Sequence, residues 1–366
     1  MVSSGFWQGR RVLVTGHTGF KGSWLCLWLQ KMGAVVHGYS LAPPTTPSLF
    51  AVAQVGAGMS GDIADVRDLA SLTTALAAFR PEIVLHLAAQ ALVRLSYEQS
   101  AETFATNVMG TVNLLEAVRR CDSVQATVIV TSDKCYHNRE VNHAYGEGDP
   151  MGGHDPYSAS KGCAELVAAA YGRSFFAVAE HGHLASARAG NVIGGGDWAR
   201  DRLLPDLMQS LAKGDVPVIR SPRAVRPWQH VLEPLAGYLV LAQALAEGRL
   251  ARWGEGWNFG PDPVDERRVG EVADTVCRLW GDGARVEIRE NPDAPHEASL
   301  LTLNSTKARQ QLGWAPRWSL NQALEQTVRW YQSYGGGAEM RAVCLDQIAD
   351  YAATSPSTDK GTGCDD

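Results

Sequence analysis

No stretch of this 366-residue sequence offers the ~20 consecutive, predominantly apolar residues needed to cross a bilayer, and the opening MVSSGFWQGRR lacks the apolar core of a signal peptide. The expectation is a soluble, cytoplasmic protein with no membrane partner. Neither sign of charge forms a long block. The 33 basic and 39 acidic residues leave a net charge of -6, a poor match to a polyanion, so no nucleic-acid partner is expected. A local basic cluster would still suit a pyrophosphate. The seven cysteines (Cys26, Cys121, Cys135, Cys163, Cys277, Cys344, Cys364) form no CxxC pair and have no histidines at ligand spacing, so no metal site is expected. They read as reduced thiols, several of them core packing inside apolar runs. There is no internal repeat. The final YAATSPSTDKGTGCDD is small, polar and aperiodic, and 345–366 is expected to be a disordered tail.

What is present is ordinary globular material, 45% hydrophobic and 20% charged. Short β-branched runs at 11–15, 34–39, 83–87, 126–131 and 183–189 alternate with helical patterns at 19–32, 66–79, 101–120 and 157–180. That rhythm predicts a doubly wound parallel α/β sheet. Beyond Asn191 it loosens. Helices at 203–213, 231–246, 269–280, 305–312 and 320–334, with strands at 216–219, 257–259 and 285–289, suggest a smaller C-terminal α/β lobe capping the ligand edge. The expected division is a cofactor domain over 1–190 with a return segment at 228–260, and a substrate lobe over 191–340.

Between the first strand and a helix expected to be amphipathic stands TGHTGFKG, with Gly16, Gly19 and Gly22 spaced as GxxGxxG. The first glycine permits a tight turn, the second lets a pyrophosphate approach backbone N–H groups, and the third allows close helix packing. The spacing resembles the extended short-chain dehydrogenase/reductase family, which has a Rossmann-type sheet and NAD as cofactor. In that family the second strand often ends in an acid that binds the adenosine ribose. Here it ends His37-Gly38-Tyr39-Ser40-Leu41, and no acid follows before Asp62. NAD is expected and NADP stays open, with Lys21 able to approach a 2′-phosphate. The resemblance places Thr18, Phe20, Lys21 and Ser40 beside the glycines at the cofactor. It adds Asp62 and Ile63 at adenine, and Ala88, Ala89, Gln90 and Asn107 along the cleft. Close packing is the competing reading for Ala88 and Ala89.

Tyr157 and Lys161 stand four apart in PYSASK and share one helix face. A free phenol with a pKa of ~10 is a poor base, but a neighbouring ammonium and a positive nicotinamide stabilise the phenolate. Ser132, after the strand at 126–131, is placed to hydrogen-bond the reacting hydroxyl. Reversible oxidation needs only these three, so Asp133 and Lys134 beside them ask for a second task; the competing reading is a surface salt bridge. The second task is loss of water. A C4 ketone acidifies the C5 proton, so a base, Lys134, removes it while an acid, Asp133, protonates the departing C6 hydroxyl. The two protonations are coupled, so the individual roles can blur.

The Asp-Lys pair, GHTGFKGSWL (16–25) and RPWQHVLEPLAGYL (226–239) together resemble the CDP-glucose branch of the nucleotide-sugar 4,6-dehydratases. That resemblance implies a lyase supplying 4-keto-6-deoxy sugars to deoxysugar and polysaccharide synthesis. It also implies a homodimer or homotetramer paired through the helices at 101–120 and 157–180. Asn191, Arg202, Arg220 and Arg226 would meet the nucleotide diphosphate, with His296 and Glu297 near the sugar; Trp198 and Trp228 either stack on the base or pack. An NAD-dependent nucleotide-sugar 4-epimerase and a non-catalytic NAD-sensing scaffold are the alternatives.

Overall fold

Alternation along β1 (Arg11–Thr15) shows how the sheet is buried, with Val12 and Val14 in one core and Leu13 in another, all three inaccessible. The computed structural model describes residues 2–177, 183–250, 254–289 and 300–356. Six further strands lie parallel to β1: β2 (Val35–Ser40), β3 (Ser60–Ile63), β4 (Ile83–His86), β5 (Ala126–Val130), β6 (His183–Ala189) and β7 (Glu255–Phe259). Their order, β7-β6-β5-β4-β1-β2-β3, reverses between β1 and β4, so the ligand crevice opens at the carboxyl ends of these two strands.

One face of the sheet carries α2 (Leu69–Phe79), α3 and α4 (Pro156–Tyr171); α3 consists of Ser100–Phe104 and Gly110–Val118 joined by a π turn, Ala105–Met109. Leu72, Leu76, Leu114, Leu115 and Phe176 fill the core beneath them. α1 (Phe20–Lys31) lies on the other face, where it shares a core with α6 (Leu232–Ala246). Further helices of seven residues or more are α5 (Leu203–Ala212), α7 (Val269–Trp280), α8 (Thr306–Leu312), α9 (Leu320–Gly335) and α10 (Met340–Ala353). No helix among the described residues is long and apolar enough to cross a membrane.

The expected doubly wound architecture is present, with three differences. β3 was not anticipated, because SGDI is exposed throughout and joins the sheet by backbone pairing with β2, leaving no hydrophobic pattern to read. α1 is not amphipathic: every residue from Gly22 to Leu29 is buried, as in a helix covered on all sides. The cover is the third difference. Residues 345–353, expected in a disordered tail, belong to α10, whose Met340, Cys344, Ile348 and Tyr351 recur at helical spacing and are all buried. Tyr351 meets Trp28 of α1 edge-on at 5.5 Å and Trp318 at 5.2 Å. Residues 357–366 lie outside the described residues, as do the last three of the helix expected at 157–180.

Candidate active site

The glycines of the cradle are required for different reasons. Gly16 has φ +76°, and a Cβ there would stand 2.7 Å from Ala88 N; a Cβ on Gly22 would stand 2.1 Å from Gly16 O. Both are dictated by contacts within the protein. Gly19 is not: its φ is -79°, and an added Cβ would meet only Gly16 O, at 3.4 Å. It opens α1 without a side-chain cap, which leaves the first N–H groups of the helix without a side-chain acceptor, an arrangement that suits a pyrophosphate. The residues present therefore fit a dinucleotide. Phe20 packs beside this turn in the α1 core. Thr18 Oγ1 lies 2.9 Å from Ser40 Oγ and donates to Leu41 O at 2.8 Å, tying the cradle to the end of β2. Asp62 aligns with Tyr39 across the β2–β3 pair, so the neighbouring strand supplies the acid that β2 lacks. It holds His37 Nε2 at 3.1 Å, while Ile63 beside it is exposed. Thr15 Oγ1 accepts from Ala88 N at 3.2 Å, and Ala89 and Gln90 continue along the crevice. Asn107, in the π turn, binds both backbone groups of Gln90 and donates to Ser160 Oγ at 2.8 Å. Its amide is spent on shaping that edge.

At the carboxyl end of β5, Ser132 caps a short 3-10 turn, Asp133–Cys135. Its hydroxyl donates to Asp133 Oδ1 at 2.9 Å and accepts from Lys134 N at 3.2 Å, and it lies near enough to the Tyr157 phenol to pull that group's pKa down. Lys134 Nζ stands 3.4 Å from Asp133 Oδ1 and donates to Asn191 Oδ1 at 3.1 Å. The Asp133 side chain is 2% exposed, so this is no surface salt bridge. α4 starts because Asp155 accepts from Ser158 N at 2.9 Å and Pro156 follows it, while Ser96 Oγ accepts from Tyr157 N at 3.1 Å. Tyr157 and Lys161 are thereby held one turn apart, both buried. Burial pushes the Tyr157 phenol up to about 12 against the pull of Ser132 and Arg202. Burial lowers Lys161 to about 8, and Glu165 opposes that shift. Lys161 Nζ donates to Val130 O at 3.3 Å.

Lys21 does not face the ribose end of the cleft. Its Nζ donates to Tyr238 OH of α6 at 3.3 Å, and burial together with the charges of Arg202 and Lys161 brings it down to about 7. The 2′-phosphate contact expected of it is therefore corrected: α6 covers this face and draws the side chain inward. Arg202 reaches Asp197 at 2.8 Å and feels Tyr157; Arg220 reaches Asp201 at 3.3 Å, and Arg94 meets the same Asp201 oxygen at 3.2 Å. Arg226 is buried and donates to Val225 O. His296 and Glu297 lie outside the described residues. Both tryptophans pack: Trp228 Nε1 donates to Arg267 O, and Trp198 sits edge-on to Trp330, Tyr331 and Tyr334. Sequence reasoning missed Tyr238, Arg94, Ser96 and Glu165. Only Glu165 carried a signal, being four residues beyond Lys161 on the same helix face.

The GDP-mannose 4,6 dehydratase family model matches residues 13–327. The chain is 53% identical to CDP-glucose 4,6-dehydratase of Salmonella typhimurium over 97% of its own length and 99% of that protein's. It is 26% identical to dTDP-glucose 4,6-dehydratase of Haemophilus influenzae over 87% of this chain and 97% of that one. Among solved structures, DesIV, the dTDP-glucose 4,6-dehydratase of Streptomyces venezuelae with NAD and TYD bound, matches at TM-score 0.77 and 25% identity. The match covers 90% of this chain and 99% of that one. The UDP-glucose 4-epimerase of Thermotoga maritima also matches at TM-score 0.77, with 21% identity over 88% and 99%, and shares the fold.

Proposed function

The chain belongs to the GDP-mannose 4,6 dehydratase family, and within it we propose that this protein is a hydro-lyase converting CDP-D-glucose to CDP-4-dehydro-6-deoxy-D-glucose with NAD. The observation that carries the reading is the buried Asp133–Lys134 pair, with Ser132 bonded to Asp133, alongside 53% identity to a CDP-glucose 4,6-dehydratase. An epimerase needs Tyr157, Lys161 and Ser132 but has no task for that pair, and a silent scaffold has no need of any of them.

NAD, when bound, would supply the hydride acceptor for C4 and the hydride donor for C6. Gly16, Gly19 and Gly22 would hold its pyrophosphate and Asp62 its adenosine end, a carboxylate that disfavours a 2′-phosphate. Tyr157 takes the C4 hydroxyl proton, with Lys161 as the charge that stabilises its phenolate. Proton exchange along the 3.4 Å contact turns the Asp133–Lys134 ion pair into a carboxylic acid and a neutral amine. Lys134 then removes the C5 proton while Asp133 protonates the leaving C6 hydroxyl, which restores the ion pair as water departs. Lys134 returns its proton to C5. At that point Tyr157 has gained one proton and Asp133 has lost one. Ser132, bonded to Asp133 and beside Tyr157, relays it back and closes the cycle. Asn191 orients Lys134, and Arg202, Arg220 and Arg226 hold the diphosphate with planar forks, exchanging Asp197 and Asp201 for phosphate oxygens.

Residues 1–190 with the return segment 228–260 serve the cofactor, and 191–340 mainly the nucleotide sugar. α3 and α4 leave Phe104, Met109 and Leu166 exposed, a face that pairs copies of the chain; sedimentation equilibrium should give a dimer or tetramer, and a monomer at micromolar concentration would refute it. The buried free thiols suit a reducing cytoplasm.

Incubation with CDP-glucose in deuterated water tests the activity. The expected product is a 4-keto-6-deoxy sugar carrying deuterium at C5, formed faster with NAD than with NADP. Inversion at C4 without C5 exchange would point to an epimerase, and no turnover with any nucleotide sugar to a scaffold.

A further inference from the structure

Beneath the catalytic residues lies a second buried charge that the mechanism above does not use. Glu165 is four residues beyond Lys161 on α4, and its side chain is 3% exposed. It accepts from the Thr131 hydroxyl, from Ser186 Oγ at 2.6 Å and from Arg188 Nη2 at 2.6 Å. Thr131 directly precedes Ser132, and Ser186 and Arg188 lie on β6, so one carboxylate joins β5, β6 and α4 under the site. Arg188 in turn donates to Tyr136 OH at 2.7 Å, at the far end of the Ser132–Tyr136 segment. Both ends of the segment that carries Asp133 and Lys134 are therefore anchored to the same ion pair.

We propose that Glu165 is a positioning residue for the reaction: its carboxylate fixes the Ser132–Lys134 segment against α4 and supplies the negative charge that keeps Lys161 an ammonium, with Arg188 setting how much of that charge Lys161 feels.

The surroundings of Lys161 single out Glu165. The titratable groups that face Lys161 are Glu165 and Tyr157 on its own helix, Cys135 in the turn after β5, His86 on β4 and Lys21 on α1. Burial holds the Cys135 thiol well above its ordinary range and the His86 imidazole down at about 3, so both are uncharged at neutral pH. Without the cofactor's positive charge, burial holds Tyr157 as a neutral phenol, and Lys21 carries the wrong sign. Glu165 is thus the negative charge in this set that offsets the cost of burying an ammonium.

The inference rests on the proposed dehydratase reading for its kinetic arm alone. Two variants with opposite expected signs separate it from a purely structural role. In Glu165→Gln the ammonium loses support, so the titration of Lys161 should fall by about one pH unit, bringing the alkaline limb of kcat/KM down with it. In Arg188→Met the carboxylate is no longer balanced, and the same titration should rise. The titration is read from lysine side-chain NMR signals, assigned with Lys161→Met, so it stands even if CDP-glucose is not turned over. Failure of turnover in the wild type would refute the proposed function and leave this test intact. An unmoved Lys161 titration in Glu165→Gln, or a shift of the same sign in both variants, overturns the proposal. Should Glu165→Gln not fold, Glu165→Gln/Arg188→Met replaces it, and a Lys161 titration no lower than in Arg188→Met alone overturns it equally.

Discussion

Lys134→Met should stop the reaction after oxidation at C4. Net dehydration is expected to fall by about 10²–10⁴-fold, the usual worth of a positioned acid or base, and C5 deuterium incorporation should fall with it. Methionine keeps the length of the side chain and removes only the amine that bonds Asn191 Oδ1 and stands 3.4 Å from Asp133. Asp133→Asn gives the complementary result. It removes the acid at the C6 hydroxyl and also the carboxylate that takes the Lys134 proton, so a 4-keto hexose retaining that hydroxyl should accumulate and C5 exchange should slow with it. Quenched single turnovers in deuterated water, with the sugar examined at C5 and C6, read both variants. Dehydration at the normal rate in Lys134→Met would remove lysine from the base position. Loss of C5 exchange in Asp133→Asn with retention in Lys134→Met would reverse the two roles.

How much of this site was legible follows from how each residue is placed. Tyr157 and Lys161 are coupled by helix periodicity, and the Ser132–Lys134 run by its place at a strand's carboxyl end, so local spacing was enough to bring them together. Lys21 shows the limit. Its position, two residues after Gly19, was visible, but the direction of its side chain depends on Tyr238, which arrives from a helix 217 residues later with no spacing that ties it to Lys21. Arg94 and Arg220 likewise meet only through Asp201. The absent acid at the end of β2 was a correct observation with an incomplete inference, because a strand without hydrophobic pattern, β3, brings Asp62 alongside it.

The fold was legible wherever burial left a period. β1, β2, β4, β5 and β6 alternate or run apolar, and α2 carries its core face at helical spacing. α1 and α10 were misread for one shared reason. An all-apolar helix needs a cover on its outer side, and the sequence of α10, MRAVCLDQIADYAA, offers a narrow apolar stripe that looks weak beside the small polar residues after it. Gln30 and Arg341, which bond at 2.8 Å across the pair, are unremarkable alone. Only the contact makes either helix intelligible.

That contact predicts the largest change in stability. A chain ending at Cys344 loses Ile348 and Tyr351, both fully buried, and uncovers Trp28 and Trp318. It also removes the Tyr351 hydroxyl that donates to Glu233 Oε2 at 2.7 Å, and the Tyr351 and Ala352 carbonyls that receive Arg317. Glu233 is already lifted to about 7 by its burial and further accepts from the backbone N–H groups of Arg317 and Trp318, so the loss reaches back into α6. Large aromatic truncations in a core cost about 3–5 kcal/mol each, and a domain has only about 5–15 kcal/mol in all. The shortened chain should therefore fail to give a cooperative native melt. Two point variants divide the effect. Tyr351→Phe keeps the ring against both tryptophans and should cost about 1 kcal/mol for the one hydrogen bond lost, since Glu233 Oε2 still accepts from Arg317 N at 3.1 Å, whereas Tyr351→Ala should cost about 3–5 kcal/mol. Urea denaturation followed by tryptophan fluorescence measures all three. A truncated chain with the wild-type midpoint would mean that α10 lies on the protein without holding α1 in place.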